Sequence, residues 1–197
     1  MVKVAFVFPG QGSQAVGMCK DLYDNYPVAR RIFEEADAAL GFSMTDLIMQ
    51  GPEEALRLTE NTQPAILTAS VACFEVLKEK GLTCDMAGGH SLGEYSALVG
   101  AGVISFADAV RTVKSRGKFM QEAVPVGEGA MAAILGLTPE QIDSICQETE
   151  KACGEAVQAV NFNCPGQVVI AGASAAVDKA IEALKAAGAK RAIPLNV

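Results

Sequence analysis

GGHSLGEYS, residues 88–96, sets a serine between glycines at the spacing G-x-S-x-G and puts the chain's one histidine directly before it. Residues 85–91 read as a short strand and residues 93–102 as the helix that follows. In that context the frame is a nucleophile elbow, a tight turn that lifts the serine oxygen above a sheet while small flanking residues let strand and helix approach. The plainer alternative is a glycine-rich turn in which Ser91 caps a helix. A helix starting here aims its free N–H groups and the positive end of its dipole at a developing negative charge, so the Leu92 N–H is a candidate oxyanion donor. The second donor of an elbow usually comes from the loop after another strand. VKVAFVF (2–8) followed by PGQGSQ (9–14) fits, which makes the Gln11 N–H the second candidate. That loop has neither the G-K-[ST] ending of a phosphate loop nor the G-x-G-x-x-G spacing of a dinucleotide site.

A serine nucleophile needs a base. His90 is a poor one, because adjacent side chains on an extended segment point to opposite faces. The 197 residues hold no second histidine, so the base is expected from outside them.

Composition narrows the function classes. Half the residues are hydrophobic and one fifth charged, as in a compact soluble protein of one or two domains. A formal charge of −7 argues against a phosphate-neutralising surface, so nucleic acid is not an expected partner. The longest uncharged apolar stretches, near 61–74 and 95–107, fall short of the roughly 20 residues of a membrane span. The first residues lack the apolar region and cleavage site of a signal peptide, which places the chain in the cytoplasm. Six cysteines without a C-x-x-C pair, and one histidine, make a metal site unexpected; the cysteines read as free thiols, Cys164 as a packed one.

Along the chain, 2–8 reads as a buried strand, 21–40 as one helix ended by Gly41, 52–58 as a short helix, and 64–80 as a helix enclosed on all sides. Ser105 is a candidate N-cap for a helix through Arg116 to about Ala123. A different rhythm follows: strand 130–137, helix 139–152, strands 156–163 and 167–173, a helix capped by Ser174, and strand 190–197. That order, β-α-β-β-α-β, is the ferredoxin-like arrangement. Residues 1–126 offer two good strands for at least four helices, and the chain stops within an apolar strand. The expectation is therefore part of a longer polypeptide.

FVFPGQGSQ (6–14), TQPAI (62–66), GHSLGEYSAL (89–98 with its leading glycine), RGKFMQ (116–121) and NFNCPGQVVIAG (161–172) together resemble the malonyl-CoA:acyl carrier protein transacylases of fatty acid synthesis. The resemblance implies an α/β fold, with residues 1–126 as the N-terminal part of an α/β-hydrolase-like large subdomain and 127–197 as a ferredoxin-like small one. It implies Ser91 as nucleophile, with the N–H groups of Gln11 and Leu92 as oxyanion hole. Arg116 would hold the free carboxylate of a malonyl group, and Gln63 and Asn163 would line the pocket. The family's catalytic histidine follows the small subdomain, past Val197. No cofactor is implied; the substrates are malonyl-CoA and the phosphopantetheine thiol of acyl carrier protein. Carrier proteins are acidic, so Lys114, Lys118, Lys190 and Arg191 are docking candidates. An apolar residue after the serine, Leu92, goes with malonyl over methylmalonyl selection. The rivals are a serine esterase or thioesterase, with water as acceptor and no task for Arg116, and a non-catalytic fragment that binds a carrier or partner without turnover.

Overall fold

Residues 3–195 are described by the computed structural model and divide between Ala123 and Val124 into two units. In the first, β1 (Ala5–Phe8) pairs in parallel with β2 (Met86–Gly89), in register from Ala5↔Met86 to Phe8↔Gly89. Parallel neighbours require a long crossover. Helices supply it: α1 (Lys20–Asn25), α2 (Pro27–Leu40), α3 (Met44–Gln50), α4 (Glu53–Arg57) and α5 (Thr59–Glu79).

The expected single helix over 21–40 is two. Pro27 brings no N–H and forces the residue before it out of the helical region, and Tyr26 accordingly sits at φ −123°, ψ 112°. α3 has no counterpart in the sequence reading, because its 7 residues are too few for an apolar stripe to stand out. Only its cap marks it, Ser43 Oγ accepting from the Asp46 N–H at 3.0 Å. α5 begins ahead of Pro64 and is buried continuously from Thr62 to Ala72, as its all-round apolarity requires.

After β2 come α6 (Gly93–Gly100) and α7 (Phe106–Ala123), the latter capped by Ser105 Oγ, which accepts from the Asp108 N–H. Leu67 and Val71 of α5 meet Leu92, Val110 and Val113 in one core, with Ala36 of α2. β1 is not the buried strand that its sequence suggests, Phe8 alone being buried. Alternation turns Phe6 and Phe8 to one face, where both rings lie on Phe74 at 5.9 and 6.2 Å. Val7, on the other face, is 83% exposed, and every residue of β2 is exposed. Val2, read as the strand's first residue, lies outside the described residues.

The second unit contains β3 (Gly129–Leu135), α8 (Pro139–Cys153), β4 (Val157–Cys164), β5 (Gln167–Ala173), α9 (Ser174–Ala186) and β6 (Arg191–Pro194). The strands form one antiparallel sheet in the order β4-β5-β3-β6. Ile134, Val157 and Ile170 from the sheet close a core with Ile142, Cys146 and Leu184 from the two helices. Thr138 and Gln141 start α8 with a reciprocal capping box. Ser174 is not the cap of α9; the cap position is Ala173, and Ser174 Oγ donates instead to the Gly127 carbonyl at 3.2 Å. Cys164, expected to pack, is exposed where β4 turns into β5. Asn196 and Val197 of the expected last strand lie outside the described residues.

Among the described residues no helix is long and apolar enough to cross a membrane, and no group of three or more His, Cys, Asp or Glu side chains could hold a metal.

Candidate active site

The serine turn is built by exclusion of volume. A Cβ on Gly89 would overlap the Gly93 carbonyl group and the Glu94 nitrogen, and one on Gly93 would overlap the carbonyl oxygens of Phe8 and Pro9. Strand end, helix start and the loop after β1 thus touch backbone to backbone, which any side chain at 89 or 93 would prevent. The His90 N–H donates to Phe8 O at 3.1 Å, and the Gly93 N–H donates back to His90 O at 2.9 Å. Between these ties Ser91 takes φ +52°, a left-handed value that only one other described non-glycine residue shares. For an L-residue this conformation costs about 1–2 kcal/mol. Strain of this kind is held where the surroundings over-determine it, and it concentrates at functional sites.

Leu92 anchors the turn. Its side chain is 1% exposed in the core with Leu67 and Val110, which leaves the neighbouring Ser91 exposed. Leu92 therefore packs its side chain in the core beneath the turn. Its N–H lies in the first turn of α6, where helix N–H groups have no intrahelical partner.

The loop after β1 is fixed by its own polar groups. Ser13 Oγ donates to Gly10 O at 2.9 Å, and the Gly12 N–H donates to Gln14 Oε1 at 2.8 Å. Gln11 directs its side chain away to Thr59 Oγ1, at 3.1 Å. A Cβ on Gly10 would come within 2.8 Å of His90 Nδ1, so the imidazole lies against this loop.

Three sequence-nominated side chains converge at the turn. Arg116, half-buried on α7, donates through Nη2 to Ser91 Oγ at 3.2 Å and through Nη1 to Gln63 Oε1 at 2.8 Å. Gln63 is fully buried on α5, and its Nε2 donates to Met120 Sδ at 3.1 Å. The Arg116 guanidinium carbon stands 5.8 Å from the centre of the Tyr95 ring. What brings α7 near enough is Gly117, where a Cβ would come within 2.6 Å of Thr59 O. Sequence reasoning passed over Tyr95 and Gly117, although both stand inside the quoted motifs.

The remaining nominations behave differently. Asn163 lies on β4 of the second unit, where its Nδ2 donates to Gln167 Oε1 at 3.1 Å. Lys114 is engaged by Glu60 Oε2 at 3.1 Å and Asn61 Oδ1 at 2.9 Å, so its charge is neutralised locally. Lys118, largely exposed, is 3.7 Å from Glu122 Oε1.

A left-handed serine between a strand and a helix has the local geometry of a nucleophile elbow, and here Arg116 meets its oxygen. The acyl transferase domain family matches residues 5–197. The chain belongs to that family. It is 55% identical over 197 residues to the malonyl CoA-acyl carrier protein transacylase of Bacillus subtilis and 59% identical over 198 residues to that of Escherichia coli K12. All of the chain is aligned in both cases, and it spans 62% and 63% of the length of those relatives. Among solved structures, it matches a malonyl-transacylase in complex with a type II polyketide synthase acyl-carrier protein (TM-score 0.93, 56% identity, 100% of this chain and 63% of that one). It also matches the malonyl CoA-acyl carrier protein transacylase of Coxiella burnetii (TM-score 0.94, 48% identity, 99% and 61%). The chain is α/β, in keeping with these neighbours.

Proposed function

We propose that the protein to which this chain belongs transfers a malonyl group from malonyl-CoA to the phosphopantetheine thiol of an acyl carrier protein, through an ester on Ser91, in cytoplasmic fatty acid synthesis. The observation that carries the reading is the 3.2 Å contact between Arg116 Nη2 and Ser91 Oγ. An acyl group esterified at that oxygen and ending in a free carboxylate brings its charge to the guanidinium. A planar guanidinium pairs with a carboxylate through two parallel hydrogen bonds, each worth about 1.5–3 kcal/mol when charge-assisted. Acetyl offers nothing in return. Gln63 and Tyr95 hold the guanidinium edge and face, so the donor is oriented before the acyl group arrives.

In the first half-reaction Ser91 Oγ attacks the thioester carbonyl, and the N–H groups of Gln11 and Leu92 take the oxyanion; each such donor is worth about 10²–10³ in rate. Coenzyme A leaves as its thiol. In the second, the carrier's thiol attacks the seryl ester and regenerates Ser91. His90, set against the loop after β1, is not assigned as base; we assign that role to a histidine in the part of the relatives' length that this chain does not span. No cofactor takes part. We further read the units as the N-terminal part of an α/β-hydrolase-like subdomain (residues 1–126) and a ferredoxin-like subdomain (127–197). The second reading rests on the β4-β5-β3-β6 order, and Asn163 is offered as a pocket residue from the latter. Lys118, Lys190 and Arg191 remain docking candidates for the carrier.

Arg116→Ala in the full-length protein tests the proposal. Malonyl transfer falls at least about a hundredfold, the value of two lost charge-assisted bonds, while acetyl transfer changes little. Equal losses for both acyl groups would remove the carboxylate assignment. Ser91→Ala is the control, and an acyl adduct surviving in its intact mass would place the nucleophile elsewhere.

A further inference from the structure

The transfer chemistry uses none of the six cysteines, yet two of them stand apart from the rest. Cys19 Sγ and Cys73 Sγ are 3.5 Å apart, although 54 positions separate them in sequence. Cys19 holds the N-cap position of α1 at φ +58°, the other left-handed non-glycine residue besides Ser91 among those described. Cys73 lies on α5. Both residues line a mainly apolar cleft of about 360 Å³, walled by Phe6, Phe8, Ile66 and Phe74, to which Ser91, Gln63 and Arg116 do not contribute.

We propose that Cys19 and Cys73 form a dithiol site that reduces a hydroperoxide and closes to a disulfide. A disulfide needs its sulfurs at about 2.05 Å, so the pair has about 1.5 Å to close. The two thiols differ in character. The Cys73 thiol is lowered by its hydrogen bond with Cys19, against an opposing effect of burial; Cys19 is pushed up by that same bond and then by burial. Cys19 also directs its S–H toward Ala69 O at 3.8 Å. The Cys19 S–H facing the Ala69 carbonyl is the one held protonated, so Cys73 is assigned the attack and Cys19 the resolution.

The Cys73 thiolate attacks the terminal peroxide oxygen, the O–O bond breaks, and the leaving alkoxide (hydroxide from hydrogen peroxide) takes a proton. Cys73 becomes a sulfenic acid. The Cys19 sulfur then attacks the Cys73 sulfur, and the departing hydroxide takes the Cys19 proton and leaves as water. Two thiols and one hydroperoxide give one disulfide, one alcohol and one water, with two electrons passed from sulfur to oxygen. No charged side chain lines the cleft, which admits an uncharged oxidant to the two thiols.

The test treats the full-length protein with one equivalent of hydrogen peroxide, reads intact mass, then blocks remaining thiols by alkylation and reads a non-reducing peptide map. The expected result is a loss of about 2 Da and a linked Cys19–Cys73 peptide that dithiothreitol separates. A link through Cys84, Cys146, Cys153 or Cys164 in its place, a sulfinic acid on Cys73 without a link, or no mass loss would each overturn the proposal. Cys19→Ala is expected to trap a dimedone-reactive sulfenic acid on Cys73, and Cys73→Ala to leave Cys19 unmodified; the reverse pattern overturns the order of attack. Where either variant does not fold, the map of the unaltered chain decides alone. None of these readouts involves acyl transfer, so the proposal stands or falls apart from the assignment of Ser91.

Discussion

The two units stand on different amounts of sheet. The second lays two helices on four antiparallel strands and closes a single core from both layers. The first, among the described residues, lays seven helices around two parallel strands. Its buried volume is mostly helix on helix, with Phe33, Met44, Ile48 and Leu56 forming a cluster to which no strand contributes. The closed unit carries a regular fold and little chemistry. The open unit carries the strained serine, the arginine that meets it, and the thiol pair. Tight backbone contacts at Gly89 and Gly93 fix the serine turn locally, so a turn of this kind does not depend on a wide sheet beside it.

The largest expected difference between the units is in strand burial. Ile170, at the centre of the four-stranded sheet, is fully buried, whereas Val7 of β1 is 83% exposed. Ile170→Ala is expected to cost about 2–5 kcal/mol in urea unfolding of this chain, from lost transfer energy and the cavity left behind. Val7→Ala should stay within about 0.5 kcal/mol. A cost for Val7→Ala approaching that for Ile170→Ala would mean that this face of β1 is covered in solution, and the contrast between the units would fail.

A smaller effect separates two glycines. Gly93→Ala pushes a methyl group into the carbonyls of Phe8 and Pro9, backbone atoms that have no rotamer to change. Overpacking of this kind costs about 1–3 kcal/mol. Gly166→Ala, between β4 and β5, meets open space and bears only the strain of φ +83°, about 1 kcal/mol. In the full-length protein Gly93→Ala should also lower acyl-enzyme formation, and Gly166→Ala should not. Unchanged stability and acylation in Gly93→Ala would show that the serine turn has slack its geometry denies.

Much of this was legible from residue types, and the exceptions share a cause. The serine turn could be read because G-x-S-x-G states its own steric requirement in five residues. The capping box of α8 is just as local, though the sequence reading takes only the start of that helix from it. The break before Pro27 was equally local and was hidden by a strong helical stripe on both sides, with apolar spacing outweighing the missing N–H. The exposure of Val7 was not legible at all, since apolarity tells what a strand can bury and not what lies over it. Arg116 looks, by type and spacing, like any surface helix arginine. Only resemblance nominated it, and only Gly117, which lets α7 reach Thr59, explains how it arrives at Ser91. The Cys19–Cys73 contact spans 54 positions and rests on a left-handed residue that sequence pattern does not announce.

The smallest effect is one in which the units should agree, and it bounds what the comparison can mean. Ser105 caps α7 in the first unit, its Oγ accepting from the Asp108 N–H at 3.2 Å and donating to Asp108 Oδ2 at 2.6 Å. Thr138 caps α8 in the second, accepting from the Gln141 N–H at 3.3 Å while Gln141 Oε1 accepts from the Thr138 N–H at 3.0 Å. Capping is local, so Ser105→Ala and Thr138→Ala should each cost about 1 kcal/mol near neutral pH, whatever the sheet behind the helix. They should part company in acid. The Asp108 carboxyl is held below its ordinary range, first by Ser105 and then by Arg111. A depressed carboxylate contributes stability above its unfolded pKa and loses it as pH falls through the folded one. The share of the Ser105 cap that acts through Asp108 therefore fades as the pH falls below the usual carboxylate range, while the uncharged Thr138–Gln141 box keeps its value. Urea midpoints of both variants, followed by circular dichroism at neutral and acidic pH, read this directly. Equal neutral costs would place the whole difference between the units in sheet and cover; a much larger cost for Ser105→Ala would show that the open unit depends on its helix ends in a way the closed one does not.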